Sequence, residues 1–146
     1  MTTKDEPIIV EQTYNASVDR VWTAITDIDQ MKKWFFENID TFKAEVGFET
    51  QFNVIANDKN YLHLWKITEV QLQKKIIYNW KYGGYSGNSY VSWELSKENN
   101  LTRLKLTHDV QEAFPKDNPD FTRESCIEGW TFFICQRLKA FLETNN

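Results

Sequence analysis

The feature that most constrains this chain is a change of period. From Ile39 to Val110 apolar residues recur at every second position, and from Phe121 to Glu143 at every third or fourth. A period of two puts one face of a strand in a core and the other in water. The pattern predicts strands over 39–45, 50–56, 61–72, 75–82, 89–95 and 101–110, with 61–72 bulged near Glu69. Tyr78, Trp80 and Tyr82 share one face, as do Val91, Trp93 and Leu95, and Leu104, Leu106 and His108. Turn residues separate the runs at Asn57–Asn60, Gly83–Asn88 and Lys97–Asn100. In the last segment Ile127, Trp130, Ile134, Leu138 and Phe141 fall within an arc of about 80°, given 100° per residue. Phe132 falls on the outer side, either as a surface aromatic or as a contact to another chain.

The first forty residues add one strand and two short helices. Ile8–Tyr14 is rich in β-formers, and residues 1–7 read as a flexible tail. Ser17 is a good N-cap for a helix whose face is Val18, Val21, Trp22 and Ile25. Asp27, with Gln30 three residues on, opens a second helix that ends at Trp34-Phe35-Phe36. The predicted order is β-α-α-β6-α. It implies a single α+β domain over 8–143, in which a curved antiparallel sheet wraps one long C-terminal helix.

Charge and composition exclude several function classes. The net charge is −4, and the basic residues form only short pairs such as Lys32-Lys33, so no nucleic-acid partner is expected. No apolar run approaches the roughly 20 residues of a membrane span, and residues 1–7 lack the apolar core of a secretory signal. The expected location is the cytoplasm. Cys126 and Cys135 lie nine residues apart in one predicted helix, about 14 Å and on opposite faces, too far for a disulfide. The sequence shows no clustered metal ligands; His63 and His108 fall on strands that should not be neighbours. Gly84-Tyr85-Ser86-Gly87-Asn88 has neither the spacing of a nucleophile elbow nor the Gly-Lys-Ser/Thr of a phosphate loop. No metal or cofactor is expected.

Several segments carry a resemblance. They are Ala16-Ser17 through Val21-Trp22, Thr26-Asp27 through Trp34-Phe35, Ile67-Thr68-Glu69-Val70 and Ile77 through Tyr82. Ser89 through Leu95, Thr102 through His108, and Gly129-Trp130 through Leu142-Glu143 complete the set. Together they resemble the bacterial proteins similar to the C-terminal domain of the activator of the heat-shock protein 90 ATPase, within the START-like (SRPBCC) superfamily. The resemblance runs from about Ile8 to Glu143 and implies the helix-grip fold, with a cavity between sheet and last helix. By analogy it also implies a chaperone as a protein partner. The chain departs from the family at Leu72-Gln73-Lys74-Lys75, where Pro-Pro is frequent, and at Trp65, where Gly is frequent; Trp65 would fill part of the cavity.

Six Trp, six Tyr and ten Phe are a heavy aromatic load for 146 residues. Trp34, Phe35, Tyr78, Trp80, Tyr82, Trp93, Trp130 and Phe133 should converge between sheet and helix, with Ile134 and His108 beside them. This set is the candidate ligand site. Its chemistry suits a hydrophobic small molecule, lipid-like or planar aromatic, oriented by a few polar groups. His108 could orient a ligand or move a proton, or be a histidine bonded to backbone. The expected function is therefore binding rather than catalysis. The alternatives are a chaperone-interacting module and a cyclase- or hydrolase-type enzyme using the same cavity. The Gly83–Asn88 and Gln111–Asp120 loops are the expected rims, with glycine allowing movement.

Overall fold

The turn residues decide the sheet. In the computed structural model, which describes residues 1 and 5–144, Asn57 and Asp58 adopt φ of 52° and 64°. Both central residues of the tight hairpin between β2 (Glu49–Ala56) and β3 (Lys59–Gln71) are thus left-handed, the twist that a two-residue connection requires. Gln73 (φ 60°) turns β3 into β4 (Lys75–Tyr82), and Asn99 (φ 58°) turns β5 (Asn88–Glu98) into β6 (Leu101–Glu112). With β1 (Ile8–Tyr14) paired to β6, the strand order is β1-β6-β5-β4-β3-β2, antiparallel throughout. Register shifts between Ile67 and Glu69 and between Asn88 and Ser89 mark bulges, which bend and twist a sheet. The first is the bulge expected near Glu69.

Helices α1 (Val18–Thr26) and α2 (Ile28–Trp34) close one end. Each starts where its cap predicts: Arg20 N–H donates to Ser17 Oγ at 3.2 Å, and Gln30 N–H to Asp27 Oδ2 at 3.2 Å. The concave face buries Trp65, Tyr78, Trp80, Trp93, Leu104 and Leu106, while Lys66 and Lys81 stay outside.

Two expectations are corrected. The segment 39–45 is not a strand, so the sheet has six strands in all and five follow the helices. Its two buried residues, Ile39 and Phe42, are three apart, and a strand face needs a spacing of two. The segment instead runs as an irregular plug, tied by the Thr41 and Thr50 hydroxyls at 3.2 Å.

The C-terminal helix is also not uniform. After a 3₁₀ turn at Pro119–Phe121, α3 (Arg123–Thr131) passes through a π segment (Phe132–Arg137) into α4 (Leu138–Thr144). One inserted residue rotates everything beyond it by about 100° relative to an unbroken α-helix. The buried line becomes Trp130, Ile134, Leu138 and Leu142, each four residues from the last. Phe141, beyond the insertion, is therefore only half-buried, and Ile127, before it, is exposed, both contrary to the expected stripe. Leu138 N–H bonds to Phe133 O, five residues back. The Ile134 carbonyl is filled by the Tyr14 hydroxyl of β1, which donates to it at 2.6 Å.

Candidate functional site

The predicted aromatic set divides into wall and filling. Trp34, Tyr78, Trp93 and Ile134 are packed into solid core. Trp34 lies edge-on to Trp93 at 6.1 Å and its Nε1–H donates to Ala24 O at 2.7 Å. Phe35, Trp80, Tyr82, His108, Trp130 and Phe133 line a cavity of about 150 Å³ between the sheet and the C-terminal helix. Phe35, just past α2, closes it against Trp130 (6.0 Å between ring centres) and Phe133 (4.9 Å). Trp65 fills what would otherwise be more space. Its ring sits 5.8 Å from Phe35, 4.7 Å from Phe52, 4.8 Å from Tyr78 and 5.0 Å from Trp80.

Phe36, His63, Cys126 and Gly129 also line the cavity and were not among the predicted residues. His63 has the signal that singled out His108: it shares strand parity with Tyr61, Trp65 and Ile67, all buried. Cys126 stands one helical turn before Trp130. Phe36 follows α2 in a segment with no period, and nothing in the sequence aims its ring inward.

The hydrogen bonds of His108 fix its tautomer. Ser89 Oγ–H donates to Trp80 O at 2.8 Å, so the same oxygen accepts from His108 Nε2–H, also at 2.8 Å. His108 Nδ1 is then a bare acceptor, and Trp130 Nε1–H donates to it at 3.0 Å. The Cys126 thiol lies 3.4 Å from that nitrogen. Burial pushes His108 down to about 4, with the N-terminal ammonium adding to the effect. Burial also pushes the Cys126 thiol up to about 12. The pair is thus a neutral thiol against a neutral imidazole, and proton uptake at Nδ1 would set two N–H groups against each other.

His63 is the mirror case. Its Nδ1 lies 3.2 Å from the Tyr61 carbonyl, which can only accept, so Nδ1 carries the proton. Nε2 is left as a bare acceptor with no hydrogen-bond partner among the described residues. The ring is 5% exposed and enclosed by Phe36, Phe52, Trp80 and Tyr82 at 4.8–5.4 Å. Burial, partly offset by the Tyr61 carbonyl, pushes His63 down to about 4. Trp80 Nε1 leans on the Tyr82 hydroxyl without reaching hydrogen-bond geometry, and burial raises the Tyr82 phenol above its ordinary range.

The expected rims are latched to each other. Gly87 has φ of 119°, and a Cβ there would lie 2.3 Å from the Phe114 ring. Phe114 and Phe121 form a second core with Tyr61. The Tyr61 hydroxyl and the Asn57 amide both donate to the Asp120 carboxylate, and Asn118 donates to the Tyr61 hydroxyl at 3.0 Å. Asp120 reaches the cavity lining from this cluster. Among the described residues no three His, Cys, Asp or Glu side chains converge as a metal site, and no helix is long and apolar enough to cross a membrane.

This geometry can be set beside known proteins. The family model of Activator of Hsp90 ATPase homolog 1-like proteins matches residues 15–143. No curated protein matches the chain. DynU16, a protein in the dynemicin biosynthetic locus, superposes with a TM-score of 0.78 at 21% identity, covering 97% of this chain and 49% of its own. This chain thus spans about half the length of DynU16. An HSP90 activator from Plasmodium falciparum superposes with a TM-score of 0.74 at 23% identity, covering 95% and 97%. The Aha1 dimer from Colwellia psychrerythraea gives a TM-score of 0.70 at 23% identity, again covering 95% and 97%. These likenesses show the fold.

Proposed function

The chain belongs to the Activator of Hsp90 ATPase homolog 1-like family, and from that premise we propose that it binds a small, neutral, ring-sized hydrophobic molecule between its sheet and its C-terminal helix. The observation that carries this is the cavity walled by Phe35, Phe36, Trp80, Trp130 and Phe133. Its volume of about 150 Å³ is below the roughly 300 Å³ where drug-sized pockets begin and near that of a cavity that accepts benzene. Of the two ligand types expected from the sequence, a planar aromatic therefore fits better than a lipid, whose chain needs the space that Trp65 occupies. Proton transfer through His108 is disfavoured, because its lone pair is already held by Trp130.

The test is an NMR titration of labelled protein with compounds graded from one ring to flavonoid-sized and acyl-chain ligands. One-ring compounds should give saturable shifts at the Trp80 and Trp130 indole N–H groups, and the larger ones should not. No saturable shift from any member of the panel contradicts the proposal.

A second reading has its own observation. Exposed Phe132, under Arg137 at 5.9 Å, and exposed Ile55 flank a surface groove that also holds Lys32 and Lys33. Together with the HSP90 activator among the similar structures, this favours a chaperone as protein partner. Failure of the chain to stimulate the cognate chaperone's ATPase, or to be retained by it in a pull-down, removes that reading.

A further inference from the structure

We propose that His63 makes the cavity selective for a neutral one-ring molecule carrying a hydrogen-bond donor, of the phenol class. The proposal rests on the cavity reading above and adds what the ligand must present. The two histidines face the same space in opposite tautomers. His108 holds its proton on Nε2 and its lone pair is taken by Trp130. His63 keeps its proton on Nδ1, whose N–H donates to the Tyr61 carbonyl, and Nε2 keeps an unmatched lone pair.

The other polar groups of the wall are the Trp80 indole N–H, the Tyr82 and Ser125 hydroxyls, the Cys126 thiol, the Asp120 carboxylate and the Met1 ammonium. Trp80 Nε1–H is buried without a hydrogen-bond partner, so a ligand hydroxyl, which can accept there as well as donate, suits the wall better than a group that only accepts. The Cys126 thiol lies against His108. Asp120 is bound by Tyr61 and Asn57, and the Met1 ammonium donates to the Phe121 carbonyl at 2.9 Å, so the wall carries one charge of each sign, both already partnered. A flat ring entering between Phe36, Trp80 and Tyr82 would lie beside His63, which lines the same cavity, and a donor on its edge is what Nε2 can accept. A ring without a donor shuts water out from Nε2 and leaves that acceptor unpaired, which is the larger penalty. A site built to hydrogen-bond a hydroxyl rejects the analogue that lacks it for this reason.

The experiment is calorimetric titration of the full chain with phenol, toluene and benzaldehyde, repeated with His63→Leu and His63→Gln. Toluene controls for shape alone and benzaldehyde offers an acceptor only. Phenol should be preferred over both, and the preference should fall about tenfold in His63→Leu, the scale of one net hydrogen bond. Gln keeps an acceptor at that position, so His63→Gln should retain part of the preference. The wild-type protein gives a readout that needs no variant to fold. The imidazole ¹⁵N spectrum should show His63 protonated on Nδ1 and His108 on Nε2, and the His63 Nε2 resonance should move with phenol and not with toluene. Binding of all three compounds with a preference unchanged by His63→Leu and a stationary Nε2 signal overturns the role of His63 while leaving the cavity reading intact. Benzaldehyde binding more tightly than phenol overturns it too and points to a protein donor. Failure of all three to bind overturns the cavity reading itself.

Discussion

At the scale of single residues, the structure turns on polar groups placed inside an aromatic core. The Tyr14 hydroxyl is the clearest. It meets the Ile134 carbonyl at 2.6 Å where the π segment shifts the helix bonding. Removing it strands a buried acceptor, so Tyr14→Phe should cost about 1–3 kcal/mol in urea unfolding; an unchanged midpoint would show that the carbonyl finds another donor. The histidines set a pH dependence. Both are held neutral in the fold, down to about 4, whereas the unfolded chain protonates them near 6.5. The unfolded state therefore binds more protons between those values, and stability rises with pH there. Stability should be level above about pH 7 and fall as pH drops from about 6.5 toward 4, by up to roughly 3 kcal/mol per histidine. Unfolding midpoints at pH 7.5 and 5.0 measure this, and His63→Leu should shrink the difference. The residue parity that singled out His108 was legible in the sequence; the tautomers were not, because they depend on Ser89, Trp130 and Tyr61, which are distant in the chain.

At the scale of elements, legibility tracked local chemistry. The caps at Ser17 and Asp27, the hairpin at Asn57-Asp58 and the bulge near Glu69 each rest on residues that carry their own signal, and the structure has all of them. The plug at 39–45 and the π segment do not. Ile39 and Phe42 are apolar enough for a strand, and only the packing of the plug beneath the sheet separates the two outcomes. Residues 132–137 have no composition that distinguishes π from α, yet the insertion decides that Leu142, not Phe141, points inward. Gly129 gives this element a test. It lies within α3, it borders the cavity, and a Cβ built there meets nothing within 4 Å. Gly129→Ala should therefore stabilise the helix by about 0.5–1 kcal/mol. Gly129→Leu should keep the fold and weaken one-ring ligands at least tenfold, because its side chain extends into open space beside Trp130. Full ligand affinity in Gly129→Leu would place the ligand elsewhere.

At the scale of the molecule, a six-stranded sheet and a helix are held apart by more aromatic volume than a lipid-sized cavity allows. The sequence indicated that Trp65 faces inward, but not how tightly Phe35, Phe52, Tyr78 and Trp80 would stack on it. That stacking leaves about 150 Å³, and the contact of Gly87 with Phe114 and of Asp120 with Tyr61 and Asn57 ties the 83–88 and 111–120 loops to the sheet end beside Asp120. The protein is proposed to be a receptor for a small ring. The measurement that tests this most directly is a crystal structure of the wild-type protein soaked in phenol. The account predicts density for one ring between Trp80, Trp130 and Phe36, with its hydroxyl within hydrogen-bond distance of His63 Nε2 and the surrounding side chains unmoved. An empty cavity at saturating phenol, or a ring bound only on the outer surface, would contradict it.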